Sequence, residues 1–461
     1  MPSCSNDSQK SGESLSNNRG DQFERNGKNP SNFTREKSGS KSPEPDNTDL
    51  RPSQQPDPWD RAMARMDHEN RVLKKIGLVI ADQYEVISKL NFGSYGTIYV
   101  AKDLRDPPKQ VAIKFETSCR EPDAKEHLEY EFSVYQAIAG GAGIPTAHWF
   151  GRQFGQSVMV MELLGPSLDA LYSFCDKRFR LPTVCRLAQQ MLDRLKFVHS
   201  RGFIHRDVKP ENFLIGLGEH ESTVYLIDCG LAKRYRFRCP KTGQLTHIPF
   251  RDNGNLVGTA RYASLNNHKG YEQSRRDDLE SLAYILIYFM AQELPWKEQP
   301  SRARYRSRAQ LYRRIKNIKA NTSAEQLCRG LPPVFARFLK AVKALRFNEE
   351  PSYDAYIRDF AALEREAQAF EASQGRAPGD QSSGGSSSAA PATAVFDWVT
   401  LRESDPERRF SYECSFKWTL PPGVAPKAPP PQRNAPFGGF PDLSASTTPG
   451  RAWAVYGGWD R

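Results

Sequence analysis

The octapeptide His205-Arg-Asp-Val-Lys-Pro-Glu-Asn212 concentrates side chains that can move a proton and bind a metal ion. Asp207 can accept the hydrogen bond and the proton of an attacking hydroxyl, and Lys209 can neutralise charge on a transferred group. Asn212 offers an amide oxygen. Asp228 follows an apolar run sixteen residues later, and such oxygen ligands suit Mg²⁺ bridging phosphates. The set is the one that phosphoryl transfer requires.

Two further features lie upstream in the order that this chemistry needs. The turn Asn91-Phe-Gly-Ser-Tyr-Gly96 would let backbone amides approach phosphate oxygens, although two glycines in a hairpin are usually only a hairpin. Lys114 ends the apolar run Val111-Ala-Ile-Lys114, where an ammonium group needs a carboxylate to offset its desolvation. Glu131 is the candidate partner. Taken alone, the two charges could equally lie on the surface.

The elements that must position these residues fall into two groups. Residues 84–90, 97–104, 109–116 and 158–163 are rich in β-branched or aromatic side chains and predict strands, with a helix over 123–138. Helical periodicity then predicts helices over 181–199 and 277–291 and shorter ones out to about 371. A helix is also predicted over 59–80, in a lead-in that spans 59–83. The outline is a small β-rich lobe followed by a larger helical lobe.

The ends of the chain differ from its middle in composition. Residues 1–58 are polar and poor in aliphatic side chains, and residues 403–461 form a tail rich in Pro and Gly, so both are predicted to be disordered. Residues 372–394 predict a low-complexity insertion. The net charge of +11 favours acidic partners, unless it is only a solvated basic surface.

Several classes of protein are disfavoured. The eight cysteines form no C-x-x-C pair, which predicts reduced thiols and a cytoplasmic or nuclear location. No signal peptide or lipidation motif is visible, and the longest apolar run, Leu282–Ala291, is too short to span a bilayer, so no stable membrane anchor is expected. No aromatic-basic recognition motif indicates nucleic-acid binding. A monomer is expected.

Three further motifs carry a family resemblance. The stretches "LLGPSL" (163–168), "GTARYASLNNHKGYEQSRRDDLES" (258–281) and "FDW" (396–398) resemble the casein kinase I family of Ser/Thr protein kinases, and the resemblance runs from about Tyr84 to Leu401. It implies an α+β, bilobal protein-kinase fold over 84–402, with lobes at about 84–162 and 163–402. It also implies transfer of the γ-phosphate of ATP, with Mg²⁺, to serine or threonine of protein substrates.

The resemblance assigns roles residue by residue. The catalytic group would be Asp207, Lys209, Lys114 and Glu131, with Asn212 and Asp228 as metal ligands and Asp278 bracing the catalytic loop. Arg261 would belong to an anion site that favours acidic or already phosphorylated substrates. The nucleotide would lie against Leu90, Asn91, Phe92, Gly93, Ser94, Tyr95, Gly96, Thr97, Ile98, Ala112, Lys114, Met161, Glu162, Leu163, Leu164, Leu214 and Ile227.

The chain departs from the family pattern at four places. Asn91 replaces the first glycine of the phosphate loop, and Cys229 replaces the phenylalanine after the metal-binding aspartate. The segment 233–250 is unusually basic. Leu311 stands where the family has a lysine near its anion site, just after Arg302, Arg304, Arg306 and Arg308. These departures leave an alternative, a pseudokinase scaffold that binds partners without turnover.

Cys229 also raises a packing question. A thiol is smaller than a phenyl ring, so a cavity is expected beneath the helix of Glu131 unless a neighbour such as Tyr135 fills it. If the cavity exists, Cys229→Phe is expected to raise or preserve turnover.

Overall fold

The computed structural model describes residues 75–93, 96–105, 109–116, 127–239, 241–252, 254–297, 307–374 and 396–405. The predictions for 1–58, for the tail beyond 405 and for most of 372–394 fall outside these ranges. At the start of the insertion the sequence prediction is wrong, because the preceding helix continues through Gln374.

An antiparallel sheet forms the first part of the described chain. Its strands are β1 (Val79–Ile80), β2 (Tyr84–Gly93), β3 (Gly96–Asp103), β4 (Gln110–Glu116), β5 (Ala147–Gln153) and β6 (Gln156–Glu162), in the order β1-β2-β3-β4-β6-β5. Helix α1 (His127–Ala137) packs on β5 and β6. Side chains alternate across a sheet, so one face buries Tyr99, Ile113, Phe115 and Val160 in an apolar core. The opposite face carries Ile98, Ala112, Lys114 and Met161.

Two details of this sheet differ from the prediction. The lead-in helix does not reach Ile80, because Val79 and Ile80 pair with Glu85 and Tyr84, and Ile80 is fully buried in the sheet core. The burial of Ile80 belongs to the sheet core and not to a helical face. Strand β5 was not predicted, because "AHWFGRQ" mixes polar and aromatic residues with a central glycine and shows no clean alternation. The rest of the predicted lead-in helix lies outside the described residues.

The second part of the described chain is helical. Its helices are α2 (Leu168–Phe174), α3 (Leu181–Ser200), α4 (Leu265–His268), α5 (Arg275–Ala291), α6 (Arg308–Asn321), α7 (Ala324–Leu327), α8 (Pro333–Ala344), α9 (Tyr353–Gln374) and α10 (Asp397–Ser404). Helix α5 starts at a capping box between Ser274 and Asp277 and is buried along almost its whole length. None of the described helices combines the length and apolar character needed to cross a bilayer.

Short paired strands connect these helices to the motif residues. Strand β7 (Phe203–Ile204) pairs with β10 (Lys233–Arg234), and β8 (Phe213–Ile215) pairs with β9 (Val224–Leu226). A hairpin of β11 (Arg236–Arg238) and β12 (Leu245–His247) follows. Because β7 ends just before Asp207 and β9 ends just before Asp228, the two pairings bring both carboxylates to the same edge of the helical part.

Candidate active site

Lys114 and Glu131 form a buried ion pair, as the sequence predicted. The Lys114 Nζ donates to Glu131 Oε2 at 2.6 Å and lies 3.7 Å from Asp228 Oδ1. The two residues are 8% and 3% exposed, so neither is a surface charge. Although burial alone would lower the pKa of Lys114, the charges of Glu131 and Asp228 outweigh it and raise that pKa. The ammonium is therefore retained at the edge of the cleft.

Asp228 lies in the left-handed region, with φ of 66°, a conformation that costs energy for a non-glycine residue and is typical of functional sites. Its backbone N–H donates to the Tyr135 hydroxyl at 2.8 Å. Its Oδ1 is buried and accepts no hydrogen bond from the described residues. A buried carboxylate oxygen without a donor suits a metal ligand.

Asn212 lies in a 3₁₀ turn, Pro210–Asn212, directly before β8. Its Nδ2 donates to the Asp207 carbonyl at 3.0 Å, which leaves the amide oxygen for another partner. In the part of the chain that the structure describes, no cluster of three or more His, Cys, Asp or Glu could hold a metal by itself. The donor set fits a hard cation that also binds ligand phosphates.

Asp207 is bound from two sides. Lys209 Nζ donates to Oδ2 at 2.6 Å, while the Thr259 N–H and Oγ1 donate to Oδ1 at 2.8 and 2.7 Å. Burial alone would raise the pKa of Asp207, but Lys209 and Thr259 outweigh it and lower that pKa. The carboxylate is therefore ionised at neutral pH. Thr259 was not singled out from the sequence, although it lies within the motif at 258–281.

Gly258 explains how Thr259 reaches Asp207. Its φ is +82°, and a Cβ at this position would come within 2.4 Å of the Arg206 carbonyl oxygen. Only glycine lets the segment approach the catalytic loop so closely.

Asp278 holds the catalytic loop from below. Its carboxylate accepts from the backbone N–H groups of His205 and Arg206 at 2.7 and 2.9 Å. It also contacts His199 Nε2 at 2.8 Å. Burial lowers the pKa of His199, so we assign a neutral ring that donates from Nε2. This bracing role was implied by the resemblance, whereas the part of His199 was not foreseen.

Four of the predicted nucleotide residues, Ile98, Ala112, Lys114 and Met161, share one face of the sheet. Ala112 is opposite Met161 in β6, and Lys114 is opposite Ile98 in β3. The Leu164 N–H makes no hydrogen bond with the described residues. The remaining apolar positions that this structure describes, partly or fully buried, are Leu90, Leu163, Leu214 and Ile227.

The glycine-containing turn is described only in part. The backbone of Asn91, Phe92 and Gly93 belongs to β2, whereas Ser94 and Tyr95 lie outside the described residues. Gly96 begins β3, followed by Thr97, and a Cβ on Gly96 would meet the Phe115 carbonyl oxygen at 2.0 Å. The second glycine is therefore required by close strand packing. Glu162 ends β6, and its carboxylate accepts from the Thr146 N–H at 3.1 Å.

A comparison with protein-family models agrees with this geometry. The model described as "Protein kinase domain" matches residues 84–358, which is more than half of the chain. The chain belongs to the protein kinase family. As a protein kinase it uses ATP and a divalent metal ion.

Arg261 of the kinase lies among aromatic and acidic groups. Its guanidinium stacks over the Tyr288 ring at 4.4 Å, and its carbonyl accepts from Trp296 Nε1 at 2.8 Å. The Arg261 Nε is buried and has no acceptor among the described residues. Burial raises the pKa of Asp169, and the Arg261 charge partly offsets that rise. The guanidinium thus already has one carboxylate in its surroundings.

Two of the other positions considered for the anion site, Leu311 and Arg308, lie within the described residues. Leu311 packs partly buried against the core of the kinase, and Arg308, at the start of α6, is exposed. Arg302, Arg304 and Arg306 lie outside the described residues.

Cys229 is buried against Tyr135, whose side chain occupies part of the space that a phenylalanine at position 229 would need. Cys229 is 1% exposed and Tyr135 is 2% exposed, in the same apolar cluster. Burial raises the pKa of the Cys229 thiol well above its ordinary value, and the Tyr135 hydroxyl opposes this with a hydrogen bond. The condition set by the sequence, that Tyr135 fills the space, is met. The thiol is inert and not a reactive thiolate.

Proposed function

We propose that the protein is a Ser/Thr protein kinase of the casein kinase I type that uses Mg²⁺ and ATP. The observation that carries this proposal is the enclosure of Asp207 by Lys209 and Thr259. A carboxylate covered on both oxygens leaves a narrow approach, which suits a short aliphatic hydroxyl better than a phenol at the end of a ring. Lys209 in the catalytic loop is the residue expected in the Ser/Thr form of this loop, which the resemblance implies.

In this mechanism the substrate hydroxyl donates a hydrogen bond to Asp207. The hydroxyl oxygen forms a bond to the γ-phosphorus as the bond from that phosphorus to the bridging oxygen of ADP breaks, and the proton passes to Asp207. Lys209 neutralises charge on the transferred group, and Lys114, held by Glu131, orients the phosphates. Mg²⁺, bound by Asn212 and Asp228, would supply further neutralisation of the phosphate oxygens.

Turnover is favoured over a pseudokinase scaffold by the buried groups. The Lys114–Glu131 pair at 2.6 Å keeps the ammonium group near Asp228, and the Asp278 contacts fix the backbone of the catalytic loop. A chain that only bound partners would have no need to keep an ionised, desolvated carboxylate at Asp207, since burial of charge is costly. We expect a monomer located in the cytoplasm or nucleus.

We also propose a preference for acidic or pre-phosphorylated substrates. The Arg261 Nε, which has no acceptor among the described residues, supports it, as do the exposed Arg234 and Arg238 of the basic segment 233–250. Arginine can bind a phosphate with two parallel charge-assisted hydrogen bonds. The nearby Asp169 carboxylate reduces the expected strength of this preference without reversing it.

The test is phosphorylation of a degenerate peptide library by the full chain with Mg²⁺ and ATP, followed by identification of the modified residues. Serine and threonine products, enriched where an acidic or phosphorylated residue precedes the target, are expected. Products mainly on tyrosine would contradict the Ser/Thr assignment. If Arg261→Ala prefers a pre-phosphorylated peptide over its unphosphorylated twin as strongly as the parent chain does, the anion site is contradicted. Nucleotide binding without any transfer would favour the scaffold.

A further inference from the structure

A cavity of about 360 Å³ lies in the helical part of the kinase and includes none of the residues assigned to nucleotide, metal or proton transfer. Its wall is formed by the last turn of α3, by Tyr235 and Arg236 of the basic segment 233–250, by Arg275 at the start of α5, and by the segment 350–358. The cavity therefore touches elements that position the catalytic loop without being part of the catalytic site.

Basic side chains predominate in the wall. Four bases, Lys196, Arg236, Arg275 and Arg358, face two carboxylates, Glu350 and Asp354. Lys196 Nζ pairs with Asp354 Oδ1 at 2.6 Å. Arg275 Nη1 is 3.6 Å from Glu350 Oε2, and the Glu350 side chain is 76% exposed, so this contact is weak. The cavity has an excess of two positive charges.

Arg275 is the most informative of these bases. Its side chain is 7% exposed, and its Nη2 donates to the Asn348 carbonyl at 2.9 Å. Its Nε is buried and has no acceptor in the part of the chain that the structure describes. A buried N–H of a guanidinium group without an acceptor is costly. The charge of an anion bound beside this guanidinium would offset part of that cost.

The backbone reinforces the same preference. Helix α9 begins at Tyr353, and the residues from Pro351 to Ala355 line the cavity. The Tyr353 and Ala355 N–H groups already donate to the Pro351 and Ser352 carbonyls, so the helix contributes through its dipole, which makes this end positive. The Arg275 guanidinium, the exposed Arg358 and the positive end of α9 thus line the same cavity.

We propose that this cavity binds a phosphate monoester. A phosphate carries nearly two negative charges and three acceptor oxygens, which match the charge excess and the donors of the wall. The volume accommodates the phosphate together with the group that bears it. A phosphorylated serine or threonine side chain and a free phosphorylated small molecule share this chemistry.

A ligand bound in this cavity would contact residues that are connected to the catalytic loop by hydrogen bonds. The Tyr353 hydroxyl, in the cavity wall, is 2.6 Å from His199 Nδ1, and His199 Nε2 contacts the Asp278 carboxylate that binds the loop. The Tyr235 hydroxyl donates to the His199 carbonyl at 2.8 Å. A ligand that fixes this wall would stabilise the folded kinase.

The test measures binding and not turnover, so it does not depend on the proposed function. The full chain carrying Asp207→Asn is saturated with Mg²⁺ and a non-hydrolysable ATP analogue and is then titrated by calorimetry. The titrants are a phosphoserine peptide, its unphosphorylated twin, and O-phosphoserine. Arg358→Glu is expected to weaken binding of both phosphorylated titrants by about tenfold or more, since a charge-assisted hydrogen bond is lost.

Two variants make the result interpretable. Arg365→Glu changes an exposed arginine of the same helix that does not line the cavity, and it is expected to leave affinity within about twofold. Asp354→Asn removes the carboxylate that pairs with Lys196 and is expected to tighten binding of the phosphorylated titrants. A misfolded variant would bind them more weakly, so tighter binding cannot be explained by misfolding. Tighter binding of the peptide than of O-phosphoserine would point to a protein source, and equal binding to a small molecule.

The proposal is overturned if neither phosphorylated titrant binds, or if binding survives Arg358→Glu unchanged. It is also overturned if Arg261→Ala abolishes binding while Arg358→Glu does not, because the phosphate then lies in the substrate groove.

Discussion

At the scale of single residues, Asp207 and Asp228 carry different chemistry because their surroundings differ. Asp207 has donors on both oxygens, and Asp228 has one buried oxygen with no donor among the described residues. The first is suited to a substrate proton and the second to a metal ion. Each can be changed to asparagine with little change in volume.

Asp207→Asn and Asp228→Asn are each expected to lower turnover by at least ~10²-fold. Peptide phosphorylation under saturating ATP measures the effect, and thermal unfolding checks that the variants fold. Asp359→Asn, at an exposed position of α9, serves as the matched control and should retain activity. Near-normal turnover in either of the first two variants would show that its role has been misassigned.

Cys229 and Tyr135 form a packed pair in which the tyrosine hydroxyl also accepts from the Asp228 N–H. The space expected beneath α1 is thus occupied, so the direction expected from the sequence reverses. Cys229→Phe is now expected to destabilise the kinase by ~1–3 kcal/mol, because it overpacks a filled region, and to lower turnover by displacing Tyr135.

Denaturant unfolding and turnover of Cys229→Phe, Cys229→Ala and the double variant Cys229→Phe/Tyr135→Leu provide the check. The double variant should regain part of the stability lost in Cys229→Phe, since the two positions share one space. The alanine variant should retain activity. A phenylalanine variant as stable and active as the parent chain would mean that Tyr135 is not an obstacle.

At the scale of elements, helix α6 is connected to the segment that carries Arg261 through one buried lysine. Lys319 is 1% exposed, and its Nζ donates to the carbonyls of Ala260 and Ala263 at 3.0 and 2.5 Å. Burial lowers the pKa of Lys319 to about 7. A neutral amine can still donate to both carbonyls, so the connection does not require the charge.

This lysine predicts a pH dependence of stability with a defined sign. An unfolded lysine has a pKa near ~10.4, so between pH about 7 and about 10 the unfolded chain binds more protons than the folded one. The free energy of unfolding therefore rises with pH in this window, by up to about 1.4 kcal/mol per pH unit. Below pH about 7 both states hold the proton and the contribution is constant.

Thermal unfolding of the parent chain and of Lys319→Met between pH 6 and 9 would isolate the contribution. The stability of the parent relative to the variant should increase above pH about 7. Lys316→Met, one turn earlier on α6, should run parallel to the parent. A parent-to-variant difference that is flat from pH 6 to 9 would rule out a lowered pKa at Lys319.

At the scale of the whole molecule, the last described helix closes the helical lobe. Asp397 of α10 binds the Arg180 side chain at 2.5 Å, and Arg402 pairs with Glu221 at 3.0 Å. Trp398 is fully buried, stacked on Phe396 and packed near Phe179. Residues that are more than 200 positions apart thereby share one core.

Trp398→Ala is expected to lower the free energy of unfolding by ~3–5 kcal/mol, the usual cost of truncating a buried large aromatic side chain. Because α10 is remote from Asp207 in the fold as described, turnover at low temperature should change far less than stability. Chemical denaturation measures the first and peptide phosphorylation the second. Thr400→Ala, exposed on the same helix, should change neither, and an equally stable Trp398→Ala would mean that the helix does not close the lobe.

Local patterns predicted the main strands and long helices in their order along the chain, and they identified the residues proposed for the chemistry of the site. The proposed site residues lie within short stretches whose composition and spacing suit phosphate chemistry: Asp207, Lys209, Asn212 and Asp228. Strands rich in β-branched residues and long amphipathic helices can be recognised from the residues within them. The same local patterns failed at Ile80, where burial in a sheet imitates a helical spacing, and at β5, whose residues lack alternation.

The contacts between residues that are distant in sequence could be known only from the tertiary structure. Only packing could show that Tyr135 fills the space beside Cys229, that Thr259 binds Asp207, and that His199 connects Asp278 to the basic cavity. Each of these contacts joins residues between 52 and 154 positions apart, or depends on volume and not on chemical type. A linear sequence records the side chains, but the distances and desolvation that set their roles arise only when the chain is folded.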